Sequence, residues 1–183
     1  MKEFLLELSV AFNIRYRSRT EQSCTRTVQA IILYMANILI MYSTTDGHTL
    51  EICQYLKQVI ERSDNRVTLH SMDDDSGVDM STFDKIVLGA SIRYGKHGKQ
   101  VYRYIKNNQQ ILDSKPNAFF SVNVVARKPE KNTPETNPYL KKFLRQITWQ
   151  PREQAVFAGK LNYPLYSYWD KQIIRFIMWM TSG

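Results

Sequence analysis

The stretch of sequence that decides the fold is ILIMYSTTDGHTLEICQ, residues 38–54. Its apolar first part predicts a buried strand, Asn37–Tyr42, and its last part predicts a helix from about Leu50 to Arg62. The turn between them consists of Ser43, Thr44, Thr45, Asp46, Gly47, His48 and Thr49, without lysine or arginine. The N-terminus of a helix offers unpaired backbone N–H groups and the positive end of the helix dipole, which attract an anion. One hydroxyl could serve as a helix cap alone, but the four hydroxyls here predict a phosphate site.

The kind of phosphate group is narrowed by what this turn lacks. A P-loop for nucleoside triphosphates needs Gly-x-x-x-x-Gly-Lys-Ser/Thr, and a dinucleotide site needs Gly-x-Gly-x-x-Gly. The turn has neither pattern, and the Gly-Lys pairs of YGKHGKQ, residues 94–100, have the wrong spacing for a P-loop. A single terminal phosphate, held by hydroxyls and backbone amides, fits the turn best.

The chain after residue 35 alternates strands and helices. Further strands are predicted at Arg66–Met72, 84–92, 117–126 and 154–161, and further helices at 97–112 and Tyr139–Gln146. Each strand is apolar on both faces, which predicts a parallel sheet covered by helices on two sides. Right-handed crossovers make such a sheet doubly wound, and its ligands bind beyond the carboxyl ends of the strands.

Charge and composition narrow the class of partner. The formal net charge of +8 favours something anionic, which could be nucleic acid, an acidic membrane surface or a carboxylate-bearing small molecule. Composition alone does not choose among these. The two cysteines, Cys24 and Cys53, form no disulfide framework, and the three histidines have no ligand spacing, so no metal site is expected. No apolar run approaches the roughly 20 residues of a membrane-spanning helix.

Three stretches together resemble one known family. They are YSTTDGHT at 42–49, VLGASIRYGKHG at 87–98 and FFSVNVVARKPEKNTPETNPYLKKFL at 119–144, and AGKLNYPLYSYWDKQIIRFIMWM at 158–180 continues the match. The chain is similar to the flavodoxin-type, quinone-dependent protoporphyrinogen IX dehydrogenases of bacterial haem biosynthesis. It departs from the usual phosphate signature at Met41 and Cys53. The resemblance implies a flavodoxin-like doubly wound five-stranded parallel sheet, order 2-1-3-4-5.

The resemblance also implies a cofactor, a reaction and partners. The cofactor is flavin mononucleotide (FMN), which would accept the hydrogens removed when protoporphyrinogen IX becomes protoporphyrin IX. The electrons would pass to menaquinone or ubiquinone, with peripheral contact at the cytoplasmic face of the inner membrane or a cytoplasmic location. No nucleic-acid partner is expected.

The site residues implied by the resemblance lie at three strand ends. The phosphate would be held by the turn residues 43–49. The flavin ring would be held by Ala90, Ser91, Ile92, Arg93, Tyr94 and Gly95 after the third strand, and by Ser121, Val122 and Asn123 after the fourth. Tyr94 could stack on the ring and Asn123 could pair with its pyrimidine side. Arg93, Lys96 and Arg127 would bind the substrate's propionates, because guanidinium groups bind carboxylates bidentately. No residue is assigned as a general base.

Both ends of the chain carry separate expectations. Residues 1–34 show no sustained periodicity, so we interpret them as an extension, either disordered or the result of a start placed too early, with the flavodoxin-like domain at 35–183 beginning at Met35. The apolar C-terminal stretch with its aromatic residues could form an interfacial helix or pack on the sheet. In the family a further segment and a final helix follow, so we expect the domain to be truncated, with that helix missing.

Three other functions stay open on the sequence. A flavodoxin-type electron carrier would share the phosphate turn, although such carriers are usually acidic. A quinone reductase with a nicotinamide donor would share the flavin site. A flavin-free remnant that serves only as an interaction module is the third alternative.

Overall fold

The computed structural model describes residues 35–74 and 77–159. The predicted extension at 1–34 and the segment from residue 160 onward, with the predicted interfacial helix, lie outside the described residues.

The described residues form strands and helices in alternation. The strands are β1 (Asn37–Ser43), β2 (Arg66–Ser71), β3 (Lys85–Arg93), β4 (Lys96–His97), β5 (Asn117–Asn123) and β6 (Glu153–Ala158), and the helices are α1 (His48–Glu61), α2 (Lys99–Ser114) and α3 (Pro138–Leu144). Short 3-10 helices lie at Met80–Thr82, Val124–Arg127 and Pro129–Lys131. The predicted elements are therefore present, with ends that differ by a few residues.

Five of the strands form a parallel sheet in the order β2-β1-β3-β5-β6. This order is the predicted one, which confirms the flavodoxin-like sheet. In its register Ser43 lies beside Ala90, and Ala90 lies beside Ser121. The carboxyl ends of the three central strands therefore reach the same edge of the sheet together.

A two-residue strand, β4, was not predicted. It pairs antiparallel with the end of β3, with Ile92 opposite His97 and Arg93 opposite Lys96. The helix predicted from residue 97 therefore begins only at Lys99. The reason is the pair Tyr94 and Gly95, whose positive φ angles of 51° and 76° make a tight turn between the two strands.

The strand β5 also ends earlier than predicted, at Asn123 rather than at residue 126. The side-chain Oδ1 of Asn123 accepts a hydrogen bond from the backbone N–H of Ala126 at 3.0 Å. This cap turns the chain into the 3-10 helix Val124–Arg127 and takes it out of the sheet.

Two apolar clusters cover the two faces of the sheet. One joins α1 to β1 and β5 through residues such as Ile52, Leu56, Ile40 and Phe120. The other joins α2 and α3 to the opposite face through residues that include Ile105, Leu140, Phe143, Phe119 and Trp149. Gly89 of β3 lies directly under the Phe120 ring, since a Cβ atom at residue 89 would be 2.1 Å from Phe120 Cζ.

One histidine is buried in the second cluster. The ring of His97 packs edge-on against Phe119 and Phe143, with centroid distances of 5.5 and 4.6 Å. Burial lowers the pKa of His97 from 6.5 to about 4, and its hydrogen bond to the Ser91 carbonyl opposes this shift only in part. The imidazole is therefore neutral in the folded protein at neutral pH.

The lowered pKa of His97 predicts a pH-dependent stability. Between pH 6.5 and about 4 the unfolded chain binds a proton that the folded chain does not, so the contribution is complete above pH 6.5 and is lost as the pH falls toward 4. At 1.36 kcal/mol per pH unit the loss amounts to about 3 kcal/mol. We expect His97→Phe to lack this part of the acid destabilisation when the free energy of unfolding is measured with urea between pH 7 and about 4.5. Equal slopes for the two proteins would contradict the prediction.

Candidate functional site

The first wall of the candidate site is the turn from β1 into α1. Gly47 has a left-handed backbone (φ 82°) directly before the helix begins at His48, and no side chain caps the first helical turn. The Oγ1 atoms of Thr44 and Thr49 are buried, and neither has a hydrogen-bond partner. A buried polar group without a partner costs about 1–3 kcal/mol. Two of them beside uncapped helix N–H groups therefore indicate the place of an anionic ligand.

The second wall is the hairpin that β3 and β4 form. Ser91 and Ile92 line the cleft from the end of β3. The turn at the tip places Tyr94 in the left-handed region, and its side chain is 43% exposed. The guanidinium carbon of Arg93 lies 5.4 Å from the centre of the Tyr94 ring. An exposed tyrosine in a strained backbone conformation is typical of residues that contact a ligand.

The third wall follows β5 and β6. Val122, Asn123, Val124 and Gly159 line it. The backbone N–H of Gly159 donates to the Asn123 carbonyl at 2.9 Å, and a Cβ atom at residue 159 would lie 3.2 Å from the Asn123 carbonyl carbon. The backbones approach closely here because residue 159 has no side chain.

Two contacts join the first wall to its neighbours. The Oγ atoms of Thr45 and Ser91 lie 3.4 Å apart, which links the phosphate turn to the end of β3. The side chain of Gln100, in the first turn of α2, donates from Nε2 to Ser43 Oγ at 3.0 Å. The Ser43 hydroxyl therefore has a protein partner, in contrast to those of Thr44 and Thr49.

The amide of Asn123 faces the protein interior. Its Oδ1 accepts from the Ala126 N–H and from Asn137 Nδ2 at 3.2 Å, and its Nδ2 donates to Ser121 Oγ at 3.4 Å. Asn123 is 2% exposed. Asn123 Oδ1 therefore already has two protein donors. The predicted pairing of this amide with a flavin ring stays a prediction.

The structure brings together half of the predicted cofactor-binding residues as direct lining of the cleft. These are Thr44, Asp46, His48, Thr49, Ser91, Ile92, Val122 and Asn123. The others lie around them: Ser43, Ala90 and Ser121 are buried in the sheet, Thr45 is exposed, and Gly47, Arg93, Tyr94 and Gly95 form the turns at the rim. Val124 and Gly159 line the cleft without having been predicted. Gly159 could have been found, because it follows an apolar strand that ends at the same edge of the sheet.

The predicted substrate-binding residues do not line the cleft. Lys96 and Arg127 are exposed, and Arg93 is half-buried on the hairpin. Arg127 ends the 3-10 helix that follows β5. Arg93 and Lys96 belong to the hairpin that forms the second wall, and Arg127 follows the strand that contributes to the third.

Thiol chemistry and metal binding find no support in the described residues. Cys53 is buried within α1, and burial raises the pKa of its thiol to about 12. Within residues 35–74 and 77–159, no three or more His, Cys, Asp or Glu side chains are placed to hold a metal ion. What the site offers is an anion cradle at one end and a narrow cleft between two backbone segments at the other.

Comparison with known proteins adds the family. The model described as Flavodoxin domain matches residues 39–183. The chain is 42% identical over 146 residues to protoporphyrinogen IX dehydrogenase (quinone) of Leishmania major, a match that covers 79% of this chain and 63% of that protein. It is 41% identical over 145 residues to the protein of the same name from Escherichia coli K12, covering 79% and 80%. Among solved structures, oxidised flavodoxin 2 from Bacillus cereus has a TM-score of 0.50 at 19% identity, covering 78% of this chain and 96% of that one.

The family match and the geometry agree. The structural neighbour supports the fold, and the two unpartnered threonine hydroxyls fit the single phosphate of FMN. The predicted fold and the predicted cofactor, FMN, are therefore confirmed. The chain belongs to the flavodoxin domain family.

Proposed function

We propose that this chain is an FMN-dependent protoporphyrinogen IX dehydrogenase, an oxidoreductase of haem biosynthesis that converts protoporphyrinogen IX into protoporphyrin IX and passes the electrons to a quinone. The observation that carries the proposal is the pair of buried, unpartnered hydroxyls of Thr44 and Thr49. These hydroxyls occur in a chain that is 41–42% identical to relatives named protoporphyrinogen IX dehydrogenase (quinone). FMN supplies the redox chemistry when bound, and the protein supplies position and electrostatics.

In this proposal the turn 43–49 holds the phosphate. Thr44 and Thr49 donate their hydroxyl protons to phosphate oxygens, which removes the cost of burying them without partners. The left-handed Gly47 turns the chain so that the first N–H groups of α1 point to the same anion. Asp46 and His48 line the cleft beside them.

The ring would lie between the hairpin and the end of β5. Ser91, Ile92 and Val122 line this part of the cleft. We propose that the exposed Tyr94, two residues after Ile92, covers one face of the ring. Water would be excluded by these side chains and by the close backbone approach at Gly159.

The substrate would bind through its carboxylates. We propose that Arg93, Lys96 and Arg127, which lie on the hairpin and on the loop after β5, pair with the propionates of protoporphyrinogen IX. We assign these residues to binding and orientation, not to proton transfer.

The electron acceptor is proposed to be a membrane quinone, either menaquinone or ubiquinone. No helix among the described residues is long and apolar enough to cross a bilayer. We propose peripheral contact with the cytoplasmic face of the inner membrane, which the net charge of +8 favours because that surface is anionic. We also propose that the domain begins at Met35.

Replacing Thr49 with valine should weaken the binding of FMN but not of riboflavin. The substitution removes one donor to the phosphate, and hydrogen bonds to charged groups imply a loss of about 10- to 100-fold in affinity for FMN. Riboflavin lacks the phosphate and should bind equally well to both proteins. The affinities can be measured by quenching of flavin fluorescence.

The same substitution has a second expected effect, on the protein without cofactor. Thr49→Val replaces an unsatisfied buried hydroxyl with a methyl group, so the melting temperature of the apoprotein should not fall. Thr68→Val, at an exposed threonine of the edge strand β2, is the matched control. It should change neither the affinity for FMN nor the affinity for riboflavin. Equal losses of FMN and riboflavin affinity in Thr49→Val would refute a phosphate role for Thr49.

The proposed reaction is tested by an anaerobic assay with protoporphyrinogen IX and a soluble quinone analogue, followed by porphyrin fluorescence. The purified chain loaded with FMN should form protoporphyrin IX. Arg127→Ala should raise the KM for protoporphyrinogen about tenfold, as expected for one lost carboxylate contact, and should leave FMN affinity unchanged.

A matched control for Arg127 exists at the other end of the sheet. Arg152 is exposed directly before β6, so Arg152→Ala should leave the KM unchanged. Bound FMN without porphyrin formation would favour an electron carrier or another quinone reductase. A chain that binds no flavin would contradict the proposed function altogether.

A further inference from the structure

A chain of buried hydrogen bonds connects two walls of the cleft with the loop that carries the basic residues. Asn137 Nδ2 donates to Asn123 Oδ1 at 3.2 Å, and Asn123 Nδ2 donates to Ser121 Oγ at 3.4 Å. Ser121 Oγ lies 3.4 Å from His97 Nε2, and His97 Nδ1 lies 3.0 Å from the carbonyl oxygen of Ser91. All four side chains, called here the buried polar chain (Asn137, Asn123, Ser121 and His97), are at most 2% exposed.

Backbone groups at its two ends fix the direction of the buried polar chain. The Ser91 carbonyl can only accept, so His97 Nδ1 carries the proton, and the neutral ring accepts at Nε2 from the Ser121 hydroxyl. At the other end Asn137 Oδ1 accepts from the N–H groups of Tyr139 and Leu140, which leaves Asn137 Nδ2 as the donor.

The same Asn137 amide also fixes the loop 124–137, because its Nδ2 donates to the carbonyl oxygen of Lys131 at 2.8 Å. Every donor in the chain thus points toward Ser91, and reversing any one amide or ring would break bonds to backbone groups. Buried hydrogen-bond networks with one permitted direction favour a single arrangement of their members.

We infer that the buried polar chain fixes the β4 side of the hairpin and the loop 124–137 against the end of β5, and that His97 and Asn137 are positioning residues for the ring part of the cofactor site. Ser91 and Asn123 line the cleft from neighbouring strands, and backbone pairing already places Ser91 beside Val122. The buried polar chain adds a side-chain link through the core between the hairpin wall and the wall at β5. The chain also fixes the loop 124–137, which carries Arg127, relative to those walls. The inference rests on one part of the proposed function, namely that the cleft binds FMN.

The inference distinguishes the ring end of the site from the phosphate end. Substitutions in the buried polar chain should weaken FMN and riboflavin equally, because they act on the ring part. Thr49→Val, by contrast, should affect FMN alone. A general loss of structure would instead lower the melting temperature of the apoprotein and the fraction of protein that binds flavin, and would leave the affinity of the folded fraction unchanged.

A double-mutant cycle between the two ends tests the coupling. His97→Phe keeps the packing against Phe119 and Phe143 but removes both hydrogen bonds of the ring. Asn137→Ser keeps a helix cap but is too short to reach Asn123. Each should weaken FMN and riboflavin binding about tenfold, and the double variant should lose about tenfold as well, rather than the hundredfold expected of independent sites. The visible circular dichroism of bound flavin should change in the same way in all three.

A matched control lies at the opposite end of β5. Asn117 is equally buried and also bonds backbone groups, donating to the carbonyls of Leu112 and Lys115 and accepting from the N–H of Arg152. Asn117→Ser should lower the melting temperature, leave the flavin affinities of the folded protein unchanged, and combine additively with His97→Phe.

The outcomes separate the inference from the proposed function. If wild type binds FMN but the effects of His97→Phe and Asn137→Ser multiply, or if neither changes riboflavin affinity, the inference is wrong and the proposed function stands. If wild type binds no FMN, the proposed function fails and the inference with it. Should His97→Phe not fold, Ser121→Ala interrupts the chain at its centre, and its cycle with Asn137→Ser has the same expected result.

Discussion

The parallel register of β1, β3 and β5 is the constraint on which the rest of the site depends. Ser43, Ala90 and Ser121 lie side by side across the three strands. Because the strands run in the same direction, the residues that follow this row all lie at one edge of the sheet and form the three walls of one cleft. A shift of one strand by a single residue would turn its side chains to the opposite face and would separate the walls.

The two ends of the cleft differ in how their polar groups are satisfied. At the phosphate end the protein keeps the hydroxyls of Thr44 and Thr49 buried without partners, so the folded chain carries a cost of about 1–3 kcal/mol for each until an anion binds. At the ring end the polar groups are satisfied within the protein by Asn123, Ser121 and His97. New hydrogen bonds to the ligand can therefore form at the phosphate end, whereas the side chains at the ring end are already fixed by bonds within the protein. A ligand that binds only the folded state also stabilises it by mass action.

The sequence allowed the sheet order and the location of the site to be predicted. The order was implied by the family resemblance, and the location follows from the residue patterns at the strand ends. It did not allow the direction of individual side chains to be predicted. Ser43 and Thr44 are adjacent in the same turn, yet Ser43 bonds to Gln100, which is 57 positions away, and Thr44 has no partner. That difference arises from long-range packing of α2 against β1.

The hairpin and the buried histidine show the same limit. His97 was placed at the start of a helix, because residues 97–112 have helical periodicity. The structure ends β3 with a tight turn instead, since Tyr94 and Gly95 both have positive φ angles, and the turn carries His97 back into the core beside Phe119. Neither a tyrosine in the left-handed region nor a neutral buried imidazole can be recognised from the residue pattern alone.

The most direct test of the central claim is a crystal structure of the chain with FMN. The account predicts phosphate oxygens within about 3 Å of the Oγ1 atoms of both Thr44 and Thr49, and the ring between the hairpin and the end of β5. A phosphate bound instead by the exposed cations near Arg127, with both threonine hydroxyls still lacking a ligand, would contradict it.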